Sequence, residues 1–361
     1  MDTGLTGDGP VVAVAGATGA VGVEFLRLFD ERPMPIGELR LLASERSAGT
    51  EMICRGAAHT VRVLDDDSFT GVDLALFSAG GSISKRFAPI AVDGGALVID
   101  NSSAFRMDPA VPLIVPEVNA SAMGRYGVGE GSQGGIIANP NCSTIILIVP
   151  VTPIHRAFGV ERMVVSTYQA VSGAGAAAMD ELIDQTKAFH AGEDVAPRIF
   201  GEPCAHNVFS HDSAVDPETG RNVEEQKMVD ETRKIWGDES IRVTATCVRV
   251  PVLRAHTESI NLTLQEPATE DQVRELLMSA PGVEVVDNRG ANDFPTPLKA
   301  SDRDPVLVGR IRLDESQRFE GSGASRRGVG FDLLVSGDQI RKGAALNAVQ
   351  IAELAIAHVA A

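Results

Sequence analysis

The sequence predicts an α/β chain in two parts: a parallel sheet with crossover helices, followed by an α+β half built on a mixed sheet. Three observations carry this. Short apolar runs alternate with segments of helical spacing as far as Ala138, the pattern of strands joined by right-handed crossovers. A glycine turn follows the first of those runs directly. Beyond Cys142 the apolar runs lengthen and begin to alternate, as in antiparallel pairing. At roughly 150 residues per domain, 361 residues agree with about two domains.

The elements follow in order. Val11–Ala15 reads as a strand, Gly16 to Gly22 as a turn, and Val23 to Phe29 as the start of a helix. Leu39–Ala43, Asp73–Ser78 and Ala96–Asp100 read as further strands, with a helix over Lys85–Val92. Gly127–Gly135 is a glycine-rich loop leading to Ile136-Ile137-Ala138 and then Asn139-Pro140-Asn141-Cys142-Ser143-Thr144. Past it, Met163–Ala170, Ile241–Val250 and Glu258–Leu264 read as longer strands, and Ala176–Phe189 and Val223–Ile235 as helices. Glu320–Gly330 reads as a Gly/Ser/Arg surface loop, and Ala344–Val359 as an apolar helix. The domains expected are residues 1–141, with the C-terminal helix at 342–361 returning to them, and residues 142–341.

Composition narrows the function. With 32 basic and 49 acidic residues the net charge is −17, which repels nucleic acid and anionic membrane. Cys54, Cys142, Cys204 and Cys247 form no C-x-x-C pair, so neither a disulfide framework nor a metal site is expected. Met1 to Pro10 lacks a basic region followed by an apolar one, so no signal peptide is expected. The uncharged window Gln133–Ile154 is broken by prolines and asparagines and reads as buried core, not as a membrane span. A cytoplasmic location with reduced thiols is expected.

Four segments carry chemistry. Gly16, Gly19 and Gly22 let a backbone approach a pyrophosphate at a helix N-terminus, the arrangement that binds a dinucleotide. At the end of the second strand, Ser44-Glu45-Arg46-Ser47 offers both an acid for a ribose diol and an arginine for a 2′-phosphate; two flanking hydroxyls favour the phosphate. Cys142 follows Asn-Pro-Asn at an expected helix start, where helix-end N–H groups stabilise a thiolate. The segment Arg249 to His256 supplies a candidate acid/base in His256 and a carboxylate fork in Arg249, with Arg254 as the other candidate. Ser166 to Gly175 is a strand running into a small-residue turn. Glu224 and Lys227 share a helix face, which by pattern alone reads as a solvated pair.

Taken together, these stretches resemble the bacterial branch of the NADP-dependent aspartate-semialdehyde dehydrogenase family over nearly the whole chain. The matching segments also include Asp100 to Arg106, Val115 to Asn119, Val308 to Arg312 and Lys342 to Asn347. The resemblance implies a Rossmann-like NADP-binding domain and an α+β catalytic and dimerisation domain. It implies reversible reduction of 4-phospho-L-aspartate to L-aspartate 4-semialdehyde and phosphate, a step toward lysine, threonine, methionine and diaminopimelate. By that resemblance Cys142 forms a thioacyl intermediate, His256 is the acid/base and Gln169 positions the substrate. Arg249 holds the α-carboxylate and Glu224 the amino group. Arg106, Asn141 and Lys227 bind phosphate. Gly16, Thr18, Gly19, Ala20, Val21, Ser44, Arg46, Ser47, Ser172, Gly173 and Gln339 contact NADP, although the family usually has asparagine where Gln339 stands. Homodimers, sometimes tetramers, are implied.

N-acetyl-γ-glutamyl-phosphate reductase shares this architecture and is the alternative; the Gln169 turn and the Glu224/Lys227 helix favour the aspartyl substrate. Glyceraldehyde-3-phosphate dehydrogenase is disfavoured because its Ser-Cys-Thr-Thr-Asn pattern is absent. A non-catalytic NADP-binding redox sensor and a cofactor-free cysteine hydrolase are rivals from other classes.

Overall fold

A computed structural model describes residues 9–129 and 133–357. Most of the N-terminal decapeptide, the centre of the Gly127–Gly135 loop, His358 and Val359 lie outside the described residues. The chain forms two compact units, residues 1–141 with 344–361, and residues 142–343.

The first unit is built on a six-stranded sheet, ordered Arg62–Val63, Glu38–Ala43, Val11–Ala15, Leu74–Phe77, Leu97–Asp100, Gly135–Ala138, with every pairing parallel. Leu74–Phe77 and Leu97–Asp100 are buried along their whole length, as strands covered on both faces must be. One face packs on Phe25 and Phe29 of the helix Ala20–Glu31 and on Leu346, Val349, Ile351 and Ala352 of the helix Leu346–Ala357. The other packs on Phe87, Ala88 and Ala91 of the helix Gly81–Asp93. Val11–Ala15 lies between strands reached in opposite directions along the sheet. The glycine turn that follows it therefore stands at the topological switch point, where such sheets bind ligands.

The second unit contains a mixed sheet. Its main path is Phe209–Ser210, Arg242–Arg249, Val160–Gln169, His256–Thr269, Arg327–Gly337, Val306–Leu313, Val283–Val285, and Phe319–Glu320 pairs with Arg327–Gly337 off that path. Arg242–Arg249 is parallel to Val160–Gln169, whereas His256–Thr269 runs antiparallel to both of its neighbours. Met163, Val165, Thr167 and Gln169 are buried, while the alternate residues Val164, Ser166 and Tyr168 are half-buried or exposed. The helix Cys142–Phe158 packs on the sheet, and Gly337 leaves room for Ile146: a Cβ there would lie 2.8 Å from Ile146 Cγ1. Pro150 and Pro153 stand inside this helix. Nearby, Thr152 Oγ1 donates to the Ile148 carbonyl at 2.6 Å and accepts from Trp236 Nε1 at 3.0 Å. None of the described helices is long and apolar enough to cross a membrane.

The expected loop over Glu320–Gly330 is corrected. From Arg327 the chain is a strand, with Gly328 and Gly330 paired to Ala268 and Thr263. These glycines are packing positions, since a Cβ would meet Phe319 Cβ at 2.9 Å and Gln317 Cβ at 2.8 Å. Pro, Gly and Ser composition reads as loop only when such tertiary neighbours are invisible.

Candidate active site

In the first unit the glycines differ in what they do. Gly16 has φ +90°, and a Cβ there would sit 2.5 Å from the Ser78 carbonyl oxygen. Gly22 is closed off more tightly, with its Cβ position 2.3 Å from the Gly16 oxygen. Gly19 is unlike both: its φ is ordinary and its nearest neighbour lies at 3.4 Å. The fold does not demand a glycine there, and the missing Cβ leaves room for a close approach to the backbone. No side chain caps the first turn of the helix Ala20–Glu31, so Ala20 and Val21 present helix-start N–H groups. Beside the turn, Thr18 Oγ1 lies 3.3 Å from Ser47 Oγ. Ser44 and Arg46 are exposed, and Arg46 makes no ion pair among the described residues. An uncapped helix start beside an uncommitted guanidinium fits a dinucleotide that carries an additional phosphate.

Also in the first unit, Arg106 is buried at the ends of two strands. Its Nε donates to the Asn139 carbonyl at 2.9 Å and its Nη2 to the Asn101 carbonyl at 2.9 Å. Asn139 in turn bonds Asn101 and Asn347, each at 2.7 Å. Asn141 is buried at the end of this segment. Asp100, fully buried, accepts from Ser84 and Ser102. The Asn-rich motifs are thus a network that satisfies buried polar groups and fixes an arginine.

In the second unit, Cys142 is the first residue of its helix and is partly exposed, whereas Cys54, Cys204 and Cys247 are buried. Burial pushes the Cys54 thiol up to about 12 and the Cys204 thiol up to about 11, and raises Cys247 as well. Those three are structural thiols. Next to Cys142, Ser143 Oγ accepts from Gln169 Nε2 at 3.0 Å. The same amide nitrogen reaches Thr167 Oγ1 and Glu224 Oε1, each at 3.3 Å. Gln169 Oε1 faces Arg249 Nη1 at 3.5 Å. One amide therefore ties the cysteine helix to the arginine and the carboxylate.

Arg249 is 4% exposed. Its Nε donates to Asp212 Oδ1 at 2.8 Å, and its guanidinium lies 5.2 Å above the Phe200 ring. Burial raises the Asp212 carboxyl, but the charge and hydrogen bonds of Arg249 outweigh it and hold it below the usual range. Arg254, the other candidate arginine, is bound by Asp338 at 2.6 Å and Asp302 at 3.0 Å. Glu224 is 4% exposed and pairs with Lys227 at 3.2 Å. The solvated-pair reading of these two is therefore corrected, because the helix Val223–Trp236 turns Glu224 inward onto Gln169.

His256 is fully buried. Its Nδ1 accepts the Ala170 N–H at 3.0 Å, which leaves the proton of the neutral ring on Nε2. Nε2 has no protein partner among the described residues. Burial and the Arg249 charge lower the imidazole to about 3, so the ring is neutral at ordinary pH. A Cβ built on Gly173 would lie 3.2 Å from Arg249 Nη1 and 3.5 Å from His256 Nε2. Gly173 thus opens onto the same space as both. Gln339 Oε1 accepts from the Ala255 N–H at 2.8 Å, and Gln339 Nε2 bonds Ser172 Oγ. Asp212, Ser143, Thr167 and Phe200 were not singled out in the sequence. Asp212 and Phe200 are distant in sequence from what they orient, and no local signal marks any of the four.

A family model described as "Semialdehyde dehydrogenase, NAD binding domain" matches residues 11–126, and one described as "Semialdehyde dehydrogenase, dimerisation domain" matches residues 151–342. Aspartate-semialdehyde dehydrogenase of Aquifex aeolicus (strain VF5) is 50% identical, covering 96% of this chain and 97% of its own. The chain belongs to the aspartate-semialdehyde dehydrogenase family. A structure of aspartate semialdehyde dehydrogenase II from Vibrio cholerae complexed with ASA has a TM-score of 0.88 at 43% identity, covering 96% of this chain and 98% of that one. A structure of aspartate semialdehyde dehydrogenase with NADP from Candida albicans has a TM-score of 0.72 at 25% identity, covering 96% and 98%. As a member of the aspartate-semialdehyde dehydrogenase family the chain is an oxidoreductase, with an NAD(P)-binding domain of parallel-sheet architecture and a mixed-sheet domain.

Proposed function

We propose that this protein catalyses the reversible, phosphate-dependent conversion of L-aspartate 4-semialdehyde to 4-phospho-L-aspartate, working biosynthetically toward lysine, threonine, methionine and diaminopimelate. The observation that carries the reading is the Gln169 amide, which joins Ser143, Glu224 and Arg249 beside the one cysteine that is not buried. An amino-acid aldehyde needs these groups together: a fork for its carboxylate, an acceptor for its ammonium and a thiolate for its carbonyl.

In this reading the Cys142 thiolate, stabilised by the helix start, adds to the C4 carbonyl. Arg249, held in place by Asp212, takes the α-carboxylate, and Glu224 takes the α-ammonium. Gln169 sets the substrate's position relative to Cys142. His256 hydrogen-bonds the oxyanion of the tetrahedral adduct through its Nε2–H, and the adduct keeps that negative charge until the hydride leaves. An acid/base role at Nε2 requires the ring proton to move to Nδ1, with loss of the Ala170 N–H bond. NADP, when bound, accepts the hydride that leaves the adduct. The remaining thioester on Cys142 is electrophilic, and phosphate displaces the thiolate from it. Arg106, Asn141 and Lys227 are the proposed phosphate ligands.

Exposed Arg46, with Ser44 and Ser47, supports NADP over NAD. The proposed cofactor contacts are Gly16, Thr18, Gly19, Ala20, Val21, Ser44, Arg46, Ser47, Ser172 and Gly173, with Gln339 acting through Ser172. The half-exposed face of the second unit's sheet, with Val164, Ser166, Tyr168, Thr246 and Ser259, supports a homodimer. The scattered reduced cysteines support a cytoplasmic location.

The test is NADPH absorbance with NADP and L-aspartate 4-semialdehyde, with and without phosphate. Phosphate-dependent NADPH formation is expected. Turnover of N-acetyl-glutamate semialdehyde in its place would move the assignment to the alternative reductase, which the aspartate-named relatives do not favour.

A further inference from the structure

Where the strands His256–Thr269 and Arg327–Gly337 part, His256 pairs with Gly337. The next residue on each side lies past the ladder, Ala255 on one segment and Asp338 on the other. Ala255 is fully buried and has φ +73°, in the left-handed region that a residue with a Cβ enters only when its surroundings hold it there. Asp302, at φ +60°, is a second such residue. Two consecutive side chains grip both. Gln339 Oε1 accepts the Ala255 N–H at 2.8 Å, and Asp338 Oδ2 accepts the Asp302 N–H at 2.6 Å.

Asp338 is itself fully buried, and both of its side-chain oxygens are engaged. Oδ2 also accepts from Arg254 Nε at 2.6 Å, and Arg254 reaches Asp302 Oδ1 at 3.0 Å. Oδ1 accepts the Ile340 and Arg341 N–H groups, each at 3.0 Å. A carboxylate has about four acceptor sites, and these donors meet all of them. The backbone carbonyl of Asp338 then accepts the Gly343 N–H at 2.9 Å. One side of the carboxylate thus fixes Arg254, in the segment that leads into His256. The other side closes a turn that brings Gly343 against Cys142. A Cβ on Gly343 would lie 2.8 Å from Cys142 Cβ and 3.2 Å from Cys142 Cα. Cys142 and His256 are far apart in sequence, yet one buried side chain holds the backbone beside each.

We propose that Asp338 is a positioning residue for the semialdehyde reaction: one buried carboxylate that sets the Cys142 thiol and the His256 ring in register with each other. The proposal rests on the functional reading above, in which the thiolate adds to the carbonyl carbon while His256 Nε2–H meets the oxygen. Those two contacts fall on atoms bonded to one another, so both groups must be in place at once. A misplacement of about 1 Å lowers the rate by about 10²-fold. Substrate binding depends on other groups. Gln169, Arg249 and Glu224, the buried floor of the site, are tied to Ser143, Asp212 and Lys227 respectively. Loosening Asp338 therefore slows the chemical step and leaves the semialdehyde and NADP bound as before.

The test compares wild type with Asp338→Asn and Arg254→Met. An amide keeps the size of the carboxylate but offers a single oxygen, so one of the two grips is released. Arg254→Met leaves the turn capped and releases only the His256 side, and it carries the test if the first variant does not fold. The readout is the burst of NADPH formed from NADP and L-aspartate 4-semialdehyde without phosphate, when the reaction stops at the thioester. Burst amplitude counts intact sites, and the burst rate constant reports their alignment. The rate constant is expected to fall by about 10²-fold in Asp338→Asn and about tenfold in Arg254→Met. Amplitude, half-saturating semialdehyde and NADP affinity should change by less than about threefold. A reduced amplitude at the wild-type rate constant would overturn the proposal, since Asp338 would then serve folding alone. So would a half-saturating semialdehyde raised about tenfold or more at the wild-type maximal rate, which would put Asp338 in substrate binding. Wild-type bursts in both variants would overturn it as well. Absence of a burst in the wild type would strike the functional reading, and the proposal with it. Any of the other adverse results beside a normal wild-type burst strikes the proposal alone.

Discussion

In the proposed function the glycine turn of the first unit and the buried floor of the second each hold an anion, and they are built for it in opposite ways. In the turn, no side chain caps the helix start, and exposed Arg46 makes no ion pair among the described residues. In the floor, Arg249 is 4% exposed and already tied to Asp212, Gln169 and the Ala170 carbonyl. An exposed arginine adapts to its ligand and is screened by solvent. A buried one is pre-organised, and any change to it breaks its ties to Asp212, Gln169 and the Ala170 carbonyl together. The floor is therefore expected to be the more sensitive of the two to substitution.

The largest effect expected is still the nucleophile's. Cys142→Ser should lower kcat by about 10⁴-fold or more while leaving NADP binding unchanged, which stopped-flow NADPH formation and a cofactor titration check together. Turnover near wild type would remove Cys142 from the mechanism. Next comes Arg249→Lys, which keeps the charge but loses the fork. It should lower kcat/KM by about 10²-fold. A loss of only a fewfold would mean that the floor is no more rigid than the turn, and the contrast would collapse. Arg46→Ala should weaken NADP by about tenfold and leave NAD unchanged. Equal losses for both cofactors, measured by fluorescence titration, would place the 2′-phosphate contact elsewhere. The smallest effect is expected for Gly19→Ala. With an ordinary φ and no close neighbour it should leave the melting temperature unchanged and weaken NADP by about threefold. Gly22→Ala should instead destabilise the folded unit, because its Cβ would lie 2.3 Å from the Gly16 oxygen.

The two regions were not equally legible. The strand, the glycine turn and the helix that follow one another from Val11 lie within a single stretch of chain, so local pattern predicts them. Cys142 at a helix start could be read the same way. Arg249 and His256 were marked only as candidates by their segment, and Arg254 competed with them. Pairing with Asp302 and Asp338 sets Arg254 apart. Glu224 and Lys227 carried the pattern of a surface pair, since three-residue spacing tells which residues share a helix face but not where that face points. The strand Arg327–Gly337 was hidden because Gly328 and Gly330 carry a turn-like composition.

By itself the sequence determined what depends on near neighbours: the parallel β/α order, the glycine turn, the place of Cys142 at a helix start and, through the whole set of motifs, the family. Tertiary structure alone decided which carboxylate meets Gln169, which arginine lies beside it and which nitrogen of His256 carries the proton. The reason is register. Residues 80 or more positions apart, such as Gln169 and Arg249, become neighbours only through strand pairing. A slip of one residue would turn each of them to the opposite face.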